Sequence, residues 1–241
     1  MQPQNQIAMV NKKEQEIKRT EKTIENIEES LTRSEEFLIK NQNSLLIGVL
    51  VLLAIVLGYF GYQKYIIEPK TQDAQEQIYA AQQFFEADSL DKALFGDGNH
   101  LGFVDIADEY SSTKPGNLAN YYAGLSYLKK GDFDNAIDYL SRFKADDGLV
   151  APMAQGAIGD AYLEKGDQSK AADEYLKAAT MKDNNFTSPL FYFKAAETFE
   201  LMGKYDEALK NYQIIHDKYP NSKYGGNIDR YIARTEAKLG K

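Results

Sequence analysis

Few residues in this chain are of a type that does chemistry, and none is spaced for it. There is no cysteine, which removes thiol nucleophiles, disulfides and thiolate metal sites. The two histidines, His100 and His216, stand in different segments, with no metal-ligand or catalytic-triad spacing between them. The stretch Gly96–Gly102 has the glycine density of a phosphate cradle. It lacks a lysine, carries Asp97 and follows a helical pattern instead of a strand, so a loop between helices is the simpler reading. Asp97, Asn99 and Asp105 miss the spacing of a calcium loop. Asp206 and Glu207 read as a solvated face. Asn185, Phe186 and Thr187 form a glycosylation sequon that matters only along a eukaryotic secretory route. With no nucleophile–base pair, the expectation is a protein without enzymatic activity, cofactor, metal or small-molecule substrate. A net charge of −8, from 36 acidic against 28 basic residues, argues against nucleic acid, whose phosphates demand clustered Lys and Arg.

The elements are more informative than the side-chain chemistry. All 17 tyrosines lie at Tyr59 or later, and among the phenylalanines only Phe37 comes earlier. The first 43 residues therefore lack the large side chains that build a core. From Asn41 to Gln63 there is no charge, and Leu45 to Tyr62 is almost wholly apolar. At 1.5 Å per residue that apolar run spans about 27 Å and the whole uncharged stretch about 34 Å, enough for one crossing of a hydrocarbon layer about 30 Å thick. Tyr59, Phe60, Tyr62 and Tyr65 bunch at one end, as an interfacial aromatic belt does. A cleaved signal peptide fits less well, because a long polar segment precedes the run and no small-x-small site follows it. The predicted organisation is a charged helical tail over 1–43, a transmembrane anchor over 44–65 and a soluble remainder. Charges near the span tie, Arg33 and Lys40 against Lys64 and Lys70. The farther cluster Lys12, Lys13, Lys18, Arg19 and Lys22 favours a cytoplasmic N-terminus. Within the tail, Val10, Ile17, Ile24, Leu31 and Leu38 recur every seven residues, flanked by Ile27. The companion seam positions Lys13, Thr20 and Ser34 are polar, so a solvated helix with a thin apolar stripe is favoured over a coiled coil.

After the span, Pro69 predicts a break, and self-similarity begins. Asn117–Val150, Pro152–Asn185 and Pro189–Ser222 align as three repeats. Gly124, Tyr127, Gly131, Ala136 and Leu140 of the first correspond to Gly159, Tyr162, Gly166, Ala171 and Tyr175 of the second. In the third they become Ala196, Phe199, Gly203, Ala208 and Tyr212. Small residues at the eighth and twentieth positions let two antiparallel helices approach closely, with the aromatic at the eleventh filling the gap beside them. The glycine at the fifteenth caps the first helix in a left-handed conformation. Pro220 stops the last second helix. Residues 66–116 read as a linker and a degenerate first unit, with helices through Ala87 and over Phe103–Tyr110. Residues 223–241 form a C-terminal capping helix with Ile228, Tyr231, Ile232, Thr235 and Leu239 on one face. About nine helices and no strand are expected after the span.

This pattern resembles the tetratricopeptide-repeat (TPR) family, whose unit is a helix–turn–helix of 34 residues. Asn120, Gln155 and Tyr192 stand where the family has a tryptophan, and the aromatic two positions after Gly166 is missing. The fold class expected is all-α: a single N-terminal transmembrane helix, then a TPR-type solenoid ending in the capping helix. One span followed by such repeats, with the Gly96-Asp97-Gly98 loop and the Gly116–Gly124 start of the first good repeat, further resembles the YfgM-like inner-membrane proteins in their Bacteroidota form. That resemblance implies an inner-membrane protein with a cytoplasmic N-terminus and periplasmic repeats. Its implied partners are the SecYEG translocon, periplasmic chaperones and secreted clients. A TPR factor of envelope assembly, cell division or peptidoglycan machinery is the alternative. Asp88, Ser89 and Leu90 resemble the acceptor triplet of periplasmic O-glycosylation in such bacteria.

In TPR arrays the second, fifth, ninth and twelfth positions of each first helix point into the concave groove. Carried onto this sequence, the partner-binding residues are Tyr121, Leu125 and Leu128, then Asp160 and Leu163, then Phe193, Glu197 and Glu200. Apolar and aromatic anchors with carboxylates at one end suit an extended or helical basic-apolar segment.

Overall fold

A computed structural model describes the backbone of residues 3–240 and the side chains of residues 19, 20, 22–25 and 37–240. The described residues are helical, with no strand among them. They divide into two compact units, Met1–Gln63 and Lys64–Lys241.

The first unit is one helix, α1 (Pro3–Tyr62). No proline or glycine stands between residues 4 and 47, so nothing in the backbone separates the polar part from the apolar one. The apolar stretch has a mean hydropathy of 2.5 and is long enough to cross a membrane. Its large side chains lie open, with Leu46, Leu52 and Leu57 at 61%, 62% and 69% exposure. In the tail, the side chains of Val10, Ile17, Ile27 and Leu31, and of Lys12, Lys13 and Lys18, lie outside the described residues. Ile24 and Leu38 of the same stripe are exposed.

The second unit begins with α2 (Glu68–Glu86), preceded by a π-helical stretch, Gln63–Ile67. Pro69 opens no loop. It occupies the first turn of α2, where a missing N–H costs nothing. Two short helices follow, α3 (Leu90–Phe95) and α4 (Phe103–Glu109). Three hairpins come next: α5 (Lys114–Lys130) with α6 (Phe133–Arg142), α7 (Val150–Glu164) with α8 (Gln168–Met181), and α9 (Thr187–Leu201) with α10 (Tyr205–Lys218). The chain closes with α11 (Ile228–Lys238). Among the described residues that makes ten α-helices after the span, one more than the periodicity indicates, because α3 is a helix in its own right. The capping helix starts later than its apolar pattern suggests. Gly225 lies in a tight turn, where a Cβ would come within 2.4 Å of the carbonyl oxygens of Tyr219 and Pro220.

Each helix packs chiefly on its neighbours in sequence, the arrangement of a repeat array. The three hairpins turn in the same way. Gly131, Gly166 and Gly203 have φ of +79°, +82° and +70°, a region cheap only for glycine. In each turn the glycine N–H donates to the carbonyl three residues back, and the next N–H donates to the carbonyl five back. These bonds satisfy the orphan acceptors at the end of the first helix. Asp132 and Asp167 then cap α6 and α8 by accepting from the N–H of Asn135 and Lys170. Close approach within the hairpins is also as the residue types require. A Cβ on Gly124 would lie 2.5 Å from Cγ of Leu140, and one on Gly159 would lie 2.7 Å from the Tyr175 ring. The eighth-position glycine thus makes room mainly for the residue at position twenty-four. Gly156 does the same between repeats, where a Cβ would sit 1.9 Å from the Phe191 ring.

The core runs along the second unit in consecutive clusters. One gathers Phe103, Ile106, Tyr110 and Tyr127 around α2–α6, and another gathers Tyr175, Phe191, Tyr212 and Ile215 around α8–α11. A smaller cluster of Leu140, Ala154, Ala157 and Ile158 joins the first and second hairpins. At the positions that lack the family's tryptophan, Asn120 and Tyr192 are buried, and Gln155 bonds the Glu174 carboxylate.

Candidate functional site

The first helices of the hairpins, α5, α7 and α9, supply the ninth and twelfth positions, and the hairpin turns set their register. In the last two repeats these positions come together. Asp160, Leu163, Glu197 and Glu200 line one open groove of about 580 Å³, with Leu201 and Arg234 on its wall. A second hollow of about 450 Å³ is lined by Leu128, Phe133, Asp160 and Leu163 among others, so Asp160 and Leu163 border both.

The other three expected residues sit elsewhere. Tyr121 packs at 5.3 Å centroid distance on Phe143 and at 5.6 Å on Tyr122, and Leu125 lies against the Leu140 cluster. Phe193 is ringed by Tyr224, Tyr231 and Tyr212 at 4.9, 4.8 and 5.7 Å. All three are partly buried.

The charges in the groove are ordered. Asp160 of α7 accepts the Tyr175 hydroxyl of α8 at 2.5 Å and the Lys194 ammonium of α9 at 2.7 and 3.0 Å. One carboxylate therefore ties three helices. The Lys194 head also lies 5.4 Å from the centre of the Tyr175 ring. Burial, and then the bond to Asp160, push the Tyr175 phenol far above its ordinary pKa. Glu200 accepts from Arg234 at 2.5 Å and from the Thr235 hydroxyl at 2.7 Å, which fastens α11 to α9. Glu197 makes no hydrogen bond or ion pair of this kind among the described residues. Desolvation by the groove wall, reinforced by the charge of Glu200, raises its carboxyl above the ordinary glutamate pKa. Lys194, Arg234 and Tyr175 are neighbours of these carboxylates that the groove pattern alone does not pick out. The repeat alignment holds the missing signal: an acid at position nine recurs with a tyrosine at position twenty-four.

Elsewhere the structure offers little chemistry. Asp97 folds the Gly96–Gly102 loop upon itself by accepting from the N–H of Asn99 and His100, at 2.9 and 2.8 Å. These bonds, His100's first, hold its carboxyl below the usual range. No group of three or more potential metal ligands occurs among the described residues.

Comparison with known proteins bears on the hairpins. A tetratricopeptide-repeat profile matches residues 116–186 and a second matches residues 191–222. The chain carries tetratricopeptide repeats. The matched residues cover the three hairpins and their turns except the first two residues of α5 and the first four of α9. The chain is also similar to human Superkiller complex protein 3, at 32% identity over 119 residues, and to the mouse protein of that name, at 27% over 116. These matches cover 49% and 48% of this chain but only 7% of the length of either relative. The repeats themselves imply a protein-interaction scaffold.

Proposed function

We propose that this protein is a non-enzymatic, single-pass membrane scaffold that holds a partner polypeptide in the TPR groove. The observation that carries the reading is the groove itself. Side chains from two successive first helices and the capping helix converge on an open trough with apolar walls and carboxylates. Such a surface suits an extended or helical segment with basic and apolar side chains.

The anchor in this reading is the apolar part of α1. Its open leucines, isoleucines and valines are stable in water only if something apolar covers them, and a bilayer does so along a single helix. The tail lies in the cytoplasm and the repeats in the periplasm of a bacterial inner membrane, as the basic cluster Lys12–Lys22 and the YfgM-like resemblance imply. On that resemblance the partners are the Sec translocon, periplasmic chaperones and secreted clients.

Two measurements test this. Single cysteines at Ser30 and Ser141 meet no native thiol background, so an impermeant maleimide reports their side of the membrane. Labelling of Ser141→Cys and protection of Ser30→Cys in spheroplasts is expected; the reverse overturns the topology. Purification of the full chain in mild detergent should recover translocon subunits. Recovery of an envelope or peptidoglycan synthase in their place moves the protein to envelope assembly.

A further inference from the structure

The second repeat contains a complete three-part contact that the third repeat only begins. In the second, the position-nine carboxylate (Asp160) meets the position-twenty-four hydroxyl (Tyr175) and an ammonium from the next first helix (Lys194). In the third, position nine is Glu197 and position twenty-four is Tyr212. The tyrosine is fully buried, yet its hydroxyl has no hydrogen-bond partner among the described residues. By its place in the repeat it corresponds to Tyr175, whose hydroxyl meets the position-nine carboxylate, and after burial the charges of Glu200 and Glu197 add to the rise in its pKa. No cation pairs directly with Glu197 among the described residues, although the charges of Arg234 and Lys194 reach it. Arg234 of the capping helix is committed to Glu200, and Lys194 to Asp160.

An unsatisfied buried hydroxyl is uncommon and calls for an explanation. Glutamate at position nine is one methylene longer than aspartate, and Glu197 stands exposed on the groove wall. Leu163 lines the groove nearby, and Leu201 stands at its edge, 66% exposed. These two offer an apolar bed for the stem of a long basic side chain.

We propose that Glu197 and Tyr212 form an incomplete cation subsite, which a lysine or arginine side chain of the bound polypeptide completes in trans. The ligand nitrogen takes the place that Lys194 takes at Asp160. Its arrival draws the Glu197 carboxylate into position to accept the Tyr212 hydroxyl as well. This rests on the groove being the partner site and specifies one residue of the partner. Lys238, also on the groove wall, is a cation within the chain that could compete, as are Arg234 and Lys194, which are already engaged by Glu200 and Asp160.

The test uses full-length protein in detergent, with benzoylphenylalanine at Leu163, and octapeptide mixtures free of other charged residues. The central position of each mixture is fixed as lysine, arginine, norleucine or glutamate. Lysine and arginine mixtures should crosslink about tenfold more than norleucine, the ratio expected of one charge-assisted hydrogen bond. Glu197→Gln should erase the preference. Tyr212→Phe should reduce it without lowering thermal stability, because the lost hydroxyl had no partner. Equal crosslinking of all four mixtures overturns the subsite and leaves the groove standing. Absence of any peptide crosslink at Leu163 overturns the groove, and the subsite with it. A preference that appears only in Lys238→Met overturns the proposal in favour of a site completed within the chain.

Discussion

The second and third repeats place a carboxylate and a tyrosine at the same two positions and finish the contact differently. Asp160 holds Tyr175 and Lys194, so its repeat is cross-braced through α7, α8 and α9. Glu197 holds neither Tyr212 nor a lysine, and α11 is fastened instead through Glu200. The first repeat has no version of the contact, since Leu125 and Leu140 stand at those positions and pack into an apolar cluster. Along the array, the same pair of positions is therefore apolar, then polar and satisfied, then polar and open. A satisfied contact braces the fold, whereas the unsatisfied one is where the proposed ligand cation would sit.

The comparison breaks most severely if the third hairpin is forced apart. Ala208 is fully buried on α10, one turn before Tyr212. Ala208→Leu should overpack the crossing and lose about 1–3 kcal/mol. Thermal melts followed by circular dichroism check this, and an unchanged midpoint would mean the repeat alignment is wrong.

Removing the two hydroxyls in turn sharpens the comparison. Tyr175→Phe should cost about 1 kcal/mol, the net worth of a hydrogen bond whose acceptor is left behind. Tyr212→Phe should be neutral or slightly stabilising, because it removes a buried polar atom with no partner. Urea titrations of the two variants side by side decide it, and equal losses would mean that Tyr212 is bonded after all.

The smallest effect is in pH dependence. The ordinary glutamate pKa is 4.5, and desolvation, then Glu200, raise that of Glu197 in the folded state. The folded form therefore binds this proton more tightly than the unfolded one. Its contribution is full below the unfolded value and is lost as pH rises through the folded one. Glu197→Gln should narrow the stability difference between mildly acidic and neutral buffer, to the variant's advantage at neutral pH. If wild type and variant follow the same profile across that window, Glu197 is not desolvated.

The repeats were legible because their signals are local. A glycine that must take positive φ and small residues where helices cross leave marks at fixed spacing, and Gly131, Gly166 and Gly203 all adopt the conformation those marks imply. Pro69 misled because a proline reads as a break whether it ends one helix or begins another. In the groove, positions nine and twelve of the second and third repeats do meet. Position five does not join them, as Tyr121 and Phe193 pack on aromatic rings from other segments, Phe143 and Tyr224. Those partners are fixed by tertiary packing, which a periodic pattern does not encode. Neither could spacing alone say that Lys194 would reach back to Asp160 while Arg234 chose Glu200.

The most direct test of the groove is site-specific photocrosslinking in intact cells, with the photoreactive residue at Glu197 or at Asp138. Asp138 lies on a second helix, α6, and forms an ion pair with Arg142. A discrete polypeptide adduct is expected at Glu197, diminished when Leu163 is changed to Asp, and none at Asp138. Equal adducts at both positions, or none at Glu197, would place the partner surface outside the groove.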